Sequence, residues 1–210
     1  MSQLQGQESA QWVGELIHSR TNVSPKRLVA PGPDTAQLHT ILEAACAAPD
    51  HGQLRPWRFV LVPADKRLLL AHAFEAALCE RDLDSTVEQR EMAREKAFRA
   101  PVLVLAVVRL GTSTDAAPDV GDASVAGTPV HDNERLLALG CAIQNVLLSA
   151  HAHGFGSGLT SGQAMHSQAL RTLFALAPHE QAVCCINIGT VSKHKPRADR
   201  PGLAAYFSEL

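Results

Sequence analysis

The sequence predicts a layered domain of the α+β or α/β class, in which a buried sheet is covered by helices. Residues 102–108 form a continuous apolar run of strand length that is rich in β-branched side chains, which is typical of a buried central strand. Two more strand-like segments, residues 58–62 and 182–188, alternate along the chain with segments of helical periodicity. No linker rich in Pro, Gly or Ser divides the 210 residues, so we expect one domain over residues 1–210.

Three helices are predicted before the central strand. The first covers residues 9–18 and carries an apolar stripe of Trp12, Val13, Leu16 and Ile17. The second follows Asp34 as its N-cap, ends at Pro49 and has helically spaced apolar residues at Leu38, Ile41, Leu42 and Ala45. The third covers residues 66–79, with candidate core positions at Leu69, Leu70, Ala73 and Ala77. The charged stretch 80–99 is expected to be solvated, with its second half helical.

The second half of the chain is predicted from composition and spacing. Residues 111–130 are rich in small, polar and Pro residues, so we expect a mobile lid there. Residues 131–151 predict the longest helix, capped by Asp132 and apolar enough to be buried on nearly all sides. A Gly-rich loop at 154–162 and a helix at 167–174 follow. Because the long helix is more apolar than one domain can bury, part of it is expected to contact a copy of itself.

Composition narrows the class of partner and the compartment. The formal net charge of −2 gives no broad basic surface, so neither a nucleic acid nor an anionic membrane is expected as a partner. Five scattered cysteines predict free thiols in a reducing compartment. The N-terminal residues lack the pattern of a signal peptide, and no apolar run is long enough to span a bilayer. A cytoplasmic protein that binds small molecules is therefore expected.

The sequence gives no sign of a protein nucleophile or a metal site. Dinucleotide, P-loop, zinc-protease and hydrolase motifs are all absent. His151 and His153 lie two residues apart on a helix end and point to different faces, so they do not predict a metal site. Cys184 and Cys185 alternate across a predicted strand and are interpreted as structural thiols. Ser157 and Ser161 have no evident general base, so no catalytic side chain is predicted.

Two basic segments could bind an anion. The segment SRTN places Arg20, Thr21 and Asn22 just past the first helix, where guanidinium and amide groups could hold a phosphate. The C-terminal tail supplies three more cations, at Lys195, Arg197 and Arg200. Taken alone, each segment is more often a solvated basic patch.

Two further segments suit contact with a flat ligand. APDHGQLRPW, residues 48–57, joins a helix to a strand and places His51 at that junction, although it could also be a proline-stiffened turn with Trp57 in the core. The Gly-rich stretch GFGSGLTSG would let the backbone approach a ring closely, although it could equally be a plain flexible connection.

In this order along the chain, these segments resemble the nitroreductase family of FMN enzymes from about residue 16 to residue 207. SRTN is similar to that family's Arg-x-Ser phosphate element, and Ala48-Pro49 with Pro56-Trp57 resembles its AP…PW block. CAIQNVLLSAHAHGFGSGLTSG resembles its central helix and glycine loop, and INIGT its last strand. The short length resembles the small NAD(P)H nitroreductase branch. The resemblance implies an α+β fold with a central mixed, mainly antiparallel sheet flanked by helices, in an intertwined homodimer.

The resemblance also implies a set of cofactor-binding residues. Arg20 and Asn22, with Thr21 between them, would hold the FMN phosphate and ribityl region, and Arg200 or Arg197 would be the second phosphate cation. His51 and Gln53 would reach the flavin of the partner subunit. The loop beside the isoalloxazine would be Leu159, Thr160 and Ser161. NAD(P)H would be the co-substrate and would stack transiently on the ring, which is consistent with the missing dinucleotide motif.

Several departures from the family pattern bear on function. Asn22 stands where the family commonly has Ser, Ser24 where many members have Lys near the flavin, and Leu159 where near relatives have a bulkier aromatic residue. The leading hypothesis is an NAD(P)H-dependent reductase of nitroaromatics, quinones or a similar flat acceptor. The alternatives are a flavin-storage protein with little turnover, a same-fold enzyme of dehalogenation or flavin breakdown, and an interaction domain without cofactor.

Overall fold

The computed structural model describes residues 3–111, 130–196 and 199–210, with side chains from residue 6 onward. The lid expected at 111–130 therefore lies almost entirely outside the described residues, and so does Arg197. Six α-helices are described: α1 Gln3–Ser19, α2 Thr35–Glu43, α3 Arg67–Arg81, α4 Val87–Glu95, α5 Asp132–Ala152 and α6 Gln168–Leu173. The described strands are β1 Leu28–Val29, β2 Trp57–Leu61, β3 Val102–Arg109, β4 Gly156–Thr160 and β5 Glu180–Val191.

Every pairing between these strands is antiparallel. The sheet order is β1-β5-β3-β2, and β4 also pairs with β5. Strand β3 is buried from Val102 to Val108, so the predicted buried central strand is confirmed. An isolated parallel bridge joins Asn22, in the segment after α1, to Ser157 of β4. The sheet is thus mainly antiparallel, as the resemblance implied.

Helices cover both faces of the sheet. Helices α2 and α5 pack on one face against alternate residues of β3 and β5, including Cys184, Ile186 and Ile188. Helices α3, α4 and α6 pack on the opposite face of the sheet. They cover the other set of alternate residues of β3 and β5, including Cys185. Cys184 and Cys185 therefore face different cores, as predicted. Burial raises the pKa of these thiols to about 11 and about 12, so both remain protonated at neutral pH.

The local signals of α2 and α6 are confirmed. Asp34 caps α2, because its carboxylate accepts from the Gln37 N–H at 2.8 Å and the Gln37 side chain bonds back to the Asp34 N–H. Ser167 caps α6 through the Leu170 N–H. The charged stretch 80–99 contains α4 in its second half, as predicted.

Other predictions were wrong in detail. Leu69 is 48% exposed because the buried face of α3 passes through Leu70, Ala73 and Ala77 instead. Asp132 does not cap α5: His131 occupies the N-cap position, and the Asp132 carboxylate accepts from the Gly111 N–H at 2.7 Å. The stretch 154–162 is not simply a loop, because residues 156–160 form β4.

Apolar residues of α1 and α5 are exposed in the single chain. Trp12, Val13 and Ile17 of α1 are 74%, 54% and 43% exposed. On α5, Leu137 is 69% exposed, so this helix is not buried on all sides within one chain. Of the described helices, none is long and apolar enough to cross a bilayer.

Candidate functional site

The segment after α1 is held against β4 by backbone and side-chain hydrogen bonds. The Val23 N–H donates to the Ser157 carbonyl at 2.9 Å, and the Leu159 N–H donates to the Asn22 side-chain oxygen at 3.4 Å. A Cβ on Gly158 would overlap the Val23 carbonyl oxygen, so only glycine allows the two segments to come this close. The Gly-rich composition of β4 therefore reflects close packing rather than flexibility.

Arg20 carries a buried donor that has no partner. Its Nη1 and the Ser157 hydroxyl are the buried side-chain polar atoms without a hydrogen bond in the described part of the chain. Burial, and then the nearby Arg200, lower the pKa of Arg20. A buried donor without a partner is costly, and an anion beside it would remove that cost.

Arg200, in the C-terminal tail, contacts the segment that follows α1. Its Nη2 donates to the Arg20 carbonyl oxygen at 2.9 Å, and its Nη1 lies 3.3 Å from Nδ1 of His18. The end of α1 is also tied to α5, because the Ser19 hydroxyl lies 2.7 Å from Nε2 of His151. Two guanidinium groups from opposite ends of the chain thus lie together, which is an arrangement suited to a phosphate. Lys195 is exposed.

A cavity of about 470 Å³ opens beside this segment, between β4 and β5 on one side and α3 and α4 on the other. Thr160 and Ser161 line it, as do Pro25 and Asn187. Its apolar wall consists of Phe74, Leu78, Met92, Ala93, Leu103, Ala164 and Met165. Because Leu159 is bonded to Asn22 and Thr160 lines the cavity, the basic segment and the cavity adjoin along β4.

The side chain of Asn187, on β5, holds the end of β4 through hydrogen bonds. Asn187 is 1% exposed, and its side-chain amide donates to the Gly158 carbonyl at 3.3 Å and to the Thr160 hydroxyl at 3.1 Å. Since the Thr160 oxygen accepts this bond, its hydroxyl proton stays available to a ligand in the cavity. Sequence reasoning missed Asn187, whose signal was only a polar residue within an otherwise apolar strand.

Positive charge collects on the helical wall of the cavity. Arg81, Lys96 and Arg99 line this wall, and Asp82 is the carboxylate beside them. Burial, then Arg99 and Arg81, lower the pKa of Lys96. Sequence reasoning assigned the stretch 80–99 to a solvated surface and so missed these residues. Their convergence depends on how α3 packs against α4.

His51 and Gln53 lie away from this cavity, in a 3-10 turn at His51–Gln53. The His51 Nδ1 is 2.5 Å from the Glu134 carboxylate, and both side chains are partly exposed. Gly52, Gln53 and Arg55 adopt positive φ values of 68°, 52° and 44°. The Asp50 carboxylate holds this backbone by accepting from the Arg55 N–H at 2.6 Å. Strained backbone of this kind is typical of functional segments.

The described residues hold no cluster of three or more His, Cys, Asp or Glu side chains arranged for a metal ion. His151 and His153 bond to different groups, the Ser19 hydroxyl and the Ser149 carbonyl.

Solved structures show the class of this fold. A nitroreductase-like family protein from Bacillus cereus superimposes with a TM-score of 0.77 at 17% identity, over 94% of this chain and 95% of that one. An FMN- and NADPH-dependent nitroreductase, NfnB from Sphigopyxis sp. strain HMH, crystallised as a mutant, gives 0.69 at 18% identity, over 93% and 97%. The fold is therefore the α+β nitroreductase-like fold.

Sequence comparison then gives the family. The chain belongs to the Nitroreductase family, whose model matches residues 24–190. A Haemophilus influenzae protein named "Putative NAD(P)H nitroreductase" is 33% identical over 170 residues, which is 81% of this chain and 84% of that protein. The similarly named YdjA of Escherichia coli K12 is 28% identical over 177 residues, or 84% and 86%. The resemblance stated from the motifs is thus confirmed.

Proposed function

We propose that this chain is a cytoplasmic, FMN-dependent oxidoreductase that uses NAD(P)H to reduce nitroaromatics, quinones or a similar flat acceptor. The observation that carries the proposal is the buried Arg20 Nη1 without a partner, in a segment that adjoins a cavity of suitable size. The names of the relatives, NAD(P)H nitroreductases, and the FMN and NADPH dependence stated for NfnB support it. When bound, FMN would accept a hydride from NAD(P)H and pass electrons to the acceptor.

The basic segment would bind the phosphate end of the cofactor. Arg20 would use its unpaired donor, and Arg200 would supply the second guanidinium from the tail. Asn22 is already bonded to the Leu159 N–H, so its amide would serve chiefly to keep this segment against β4 while Thr21 faces solvent. Arg197, outside the described residues, would be a second candidate from the tail.

The rim of β4 would bind the ring of the cofactor. Leu159, Thr160 and Ser161 are exposed at the end of this strand, and the last two line the cavity. The Thr160 hydroxyl, oriented by Asn187, would donate toward a polar edge of the ring. Leu159 would leave the ring face open, which suits a donor and an acceptor that bind there in turn.

His51 and Gln53 require a second copy of the chain for their proposed role. They do not line the cavity of their own chain, and the exposed residues Trp12, Val13 and Leu137 form apolar surface that association of two copies would cover. In a homodimer, His51, braced by Glu134, would contact the flavin of the partner. A monomer in light scattering would contradict this part of the proposal.

Flavin content and reduction test the function. The protein purified from cells grown with riboflavin, or reconstituted with FMN, is expected to show a flavin absorbance spectrum that NADH or NADPH bleaches anaerobically within seconds. Colourless protein that takes up no FMN would contradict the proposal.

Flavin that stays oxidised for minutes would support the storage protein instead. Product analysis with a panel of acceptors would separate reduction of nitroaromatics from dehalogenation or flavin breakdown.

A further inference from the structure

The helical wall of the cavity has more positive charge than its own carboxylates can balance. Lys96 has no hydrogen bond or ion pair within the described residues, and its amine is free to meet a ligand. Arg99 is 4.0 Å from the Glu95 carboxylate, which is the limit of an ion pair, and Arg81 donates to the Gln163 amide oxygen at 3.4 Å. Cavities lined by one sign of charge concentrate ligands of the opposite sign.

This charge is separate from the charge that the cofactor phosphate would use. The proposed phosphate cations are Arg20, in the segment after α1, and Arg200, which donates to the Arg20 carbonyl, and neither of them lines the cavity. Arg81, Lys96 and Arg99 belong instead to α3, the 3-10 turn at Lys96–Phe98 and the residue after it. A bound FMN therefore leaves the helical wall with its own unmatched charge.

The same wall also offers apolar contact. Phe74, Leu78 and Met92 line the cavity between the cationic residues, so one face presents both an apolar surface and three positive charges. An aromatic body carrying one anionic substituent is complementary to such a surface, since the ring covers the apolar side chains and the anion lies at the cations.

We propose that Arg81, Lys96 and Arg99 recognise an anionic group, a carboxylate or a phosphate, on the small molecule that exchanges electrons with the flavin. The inference rests on the proposed function and adds the charge class of the ligand. Two molecules could carry the anion: an acceptor with a carboxylate, or the nicotinamide donor with the additional phosphate of NADPH. Lowering of the Lys96 pKa by burial and by its two cationic neighbours agrees with an unmatched cluster.

Matched substrates test the inference. We would compare para-nitrobenzoate with neutral para-nitrobenzyl alcohol, and NADPH with NADH, in wild-type protein, K96Q and K96Q/R81Q. The single change is expected to lower kcat/KM about fivefold for the member of at least one pair that carries the additional anionic group, since one partly solvated charge pair is worth up to about 1 kcal/mol. The member that lacks this group, para-nitrobenzyl alcohol or NADH, should change less than about twofold. K66Q is the control, because Lys66 is exposed and lies outside the cavity lining.

Binding without turnover provides the second readout. Quenching of flavin fluorescence by para-nitrobenzoate in the absence of any reductant gives a dissociation constant, which should rise in K96Q and rise with salt in the wild type. A selective loss with nitrobenzoate assigns the anion to the acceptor, and a selective loss with NADPH assigns it to the donor.

Equal losses for both members of each pair, together with a shifted flavin reduction potential, would overturn the inference and place the charge on the flavin itself. Unchanged ratios in both pairs would also overturn it. Flavin absorbance is recorded on the same samples, so failure to bind FMN, which contradicts the proposed function, is distinguished from loss of anion selectivity.

Discussion

Two arginines with buried guanidinium nitrogens, Arg67 at the start of α3 and Arg20 just after α1, illustrate opposite uses of a guanidinium. Burial lowers the pKa of both Arg67 and Arg20. Arg67 is 5% exposed, and all three of its nitrogens donate to carbonyl oxygens, those of Val62, Ala97, Ala100 and Pro101 at 2.7–3.3 Å. Arg20 instead keeps a buried Nη1 that no group of the described chain accepts from.

The presence or absence of internal hydrogen-bond acceptors distinguishes a structural arginine, Arg67, from the proposed ligand-binding arginine, Arg20. Arg67 satisfies carbonyls at the entrances to α3 and β3, and these carbonyls in turn compensate the guanidinium for its lost hydration. Arg20 is half-buried, and its buried Nη1 is desolvated without that compensation, so the free protein carries a cost that a bound anion would remove. Mutations at the two positions should therefore act on different quantities.

The largest effect is expected for R67L on stability. Removal of the guanidinium leaves four carbonyl oxygens without their donor in or near the core, so the free energy of unfolding should fall by about 3 kcal/mol or more. Urea denaturation of the flavin-free protein measures it. R20L in the same assay should change the free energy by less than about 1 kcal/mol, since its buried donor makes no bond to lose. Equal losses at both positions would remove the distinction.

The second effect is expected for R20Q on FMN affinity. A hydrogen bond to a charged group is worth about 1.5–3 kcal/mol, so the dissociation constant of FMN should rise about 10- to 100-fold. Titration of the flavin-free protein with FMN measures it. R27Q is the matched control, because this nearby guanidinium already donates to the Lys193 carbonyl at 3.0 Å and should leave the affinity unchanged. Unaltered affinity in R20Q would show that the unpaired donor marks no phosphate site.

The smallest effect is expected for a substitution of Arg58, measured on the free energy of unfolding. In this third arginine the guanidinium is paired with a carboxylate, that of Glu180. Its Nε and Nη2 donate to both oxygens of Glu180 at 2.7 and 2.8 Å, which lowers the pKa of Glu180. A lowered carboxyl pKa contributes stability above the ordinary Glu value, and this contribution is lost as the pH falls through the folded-state value. R58Q should therefore cost about 1 kcal/mol at neutral pH, because Arg58 is partly exposed and screened, and less in acid.

Denaturation of wild type and R58Q at a series of pH values measures that difference. A gap between the two curves that widened on acidification would contradict the ion-pair explanation.

The parts of the fold that could be predicted are those determined by local chemistry. Strand β3 was predictable because its residues are apolar and β-branched and both of its faces are covered. The start of α2 was predictable because an Asp three residues before a Gln forms a capping box. Neither signal requires knowledge of the rest of the chain.

The parts that could not be predicted depend on distant packing. Strand β4 appears loop-like because it is rich in Gly, yet Gly158 is required by the approach of Val23 from the other end of the chain. Lys96 and Asn187 could not be placed in a site because their common cavity exists only once α3 and α4 face β4 and β5 across it. The motif residues Arg20, Asn22, Thr160 and Ser161 were found from the resemblance, and their roles remain predictions.

Strand β5 has a consequence for how the chain is made. It pairs with β1, β3 and β4, so of the described strand pairs only β2 with β3 can form without it. A ribosome synthesises every one of its partners first, and those segments must wait, with apolar faces uncovered, until residues 180–191 emerge. Because β5 completes the sheet late and through long-range contacts, we expect slow folding and binding of the nascent chain by chaperones.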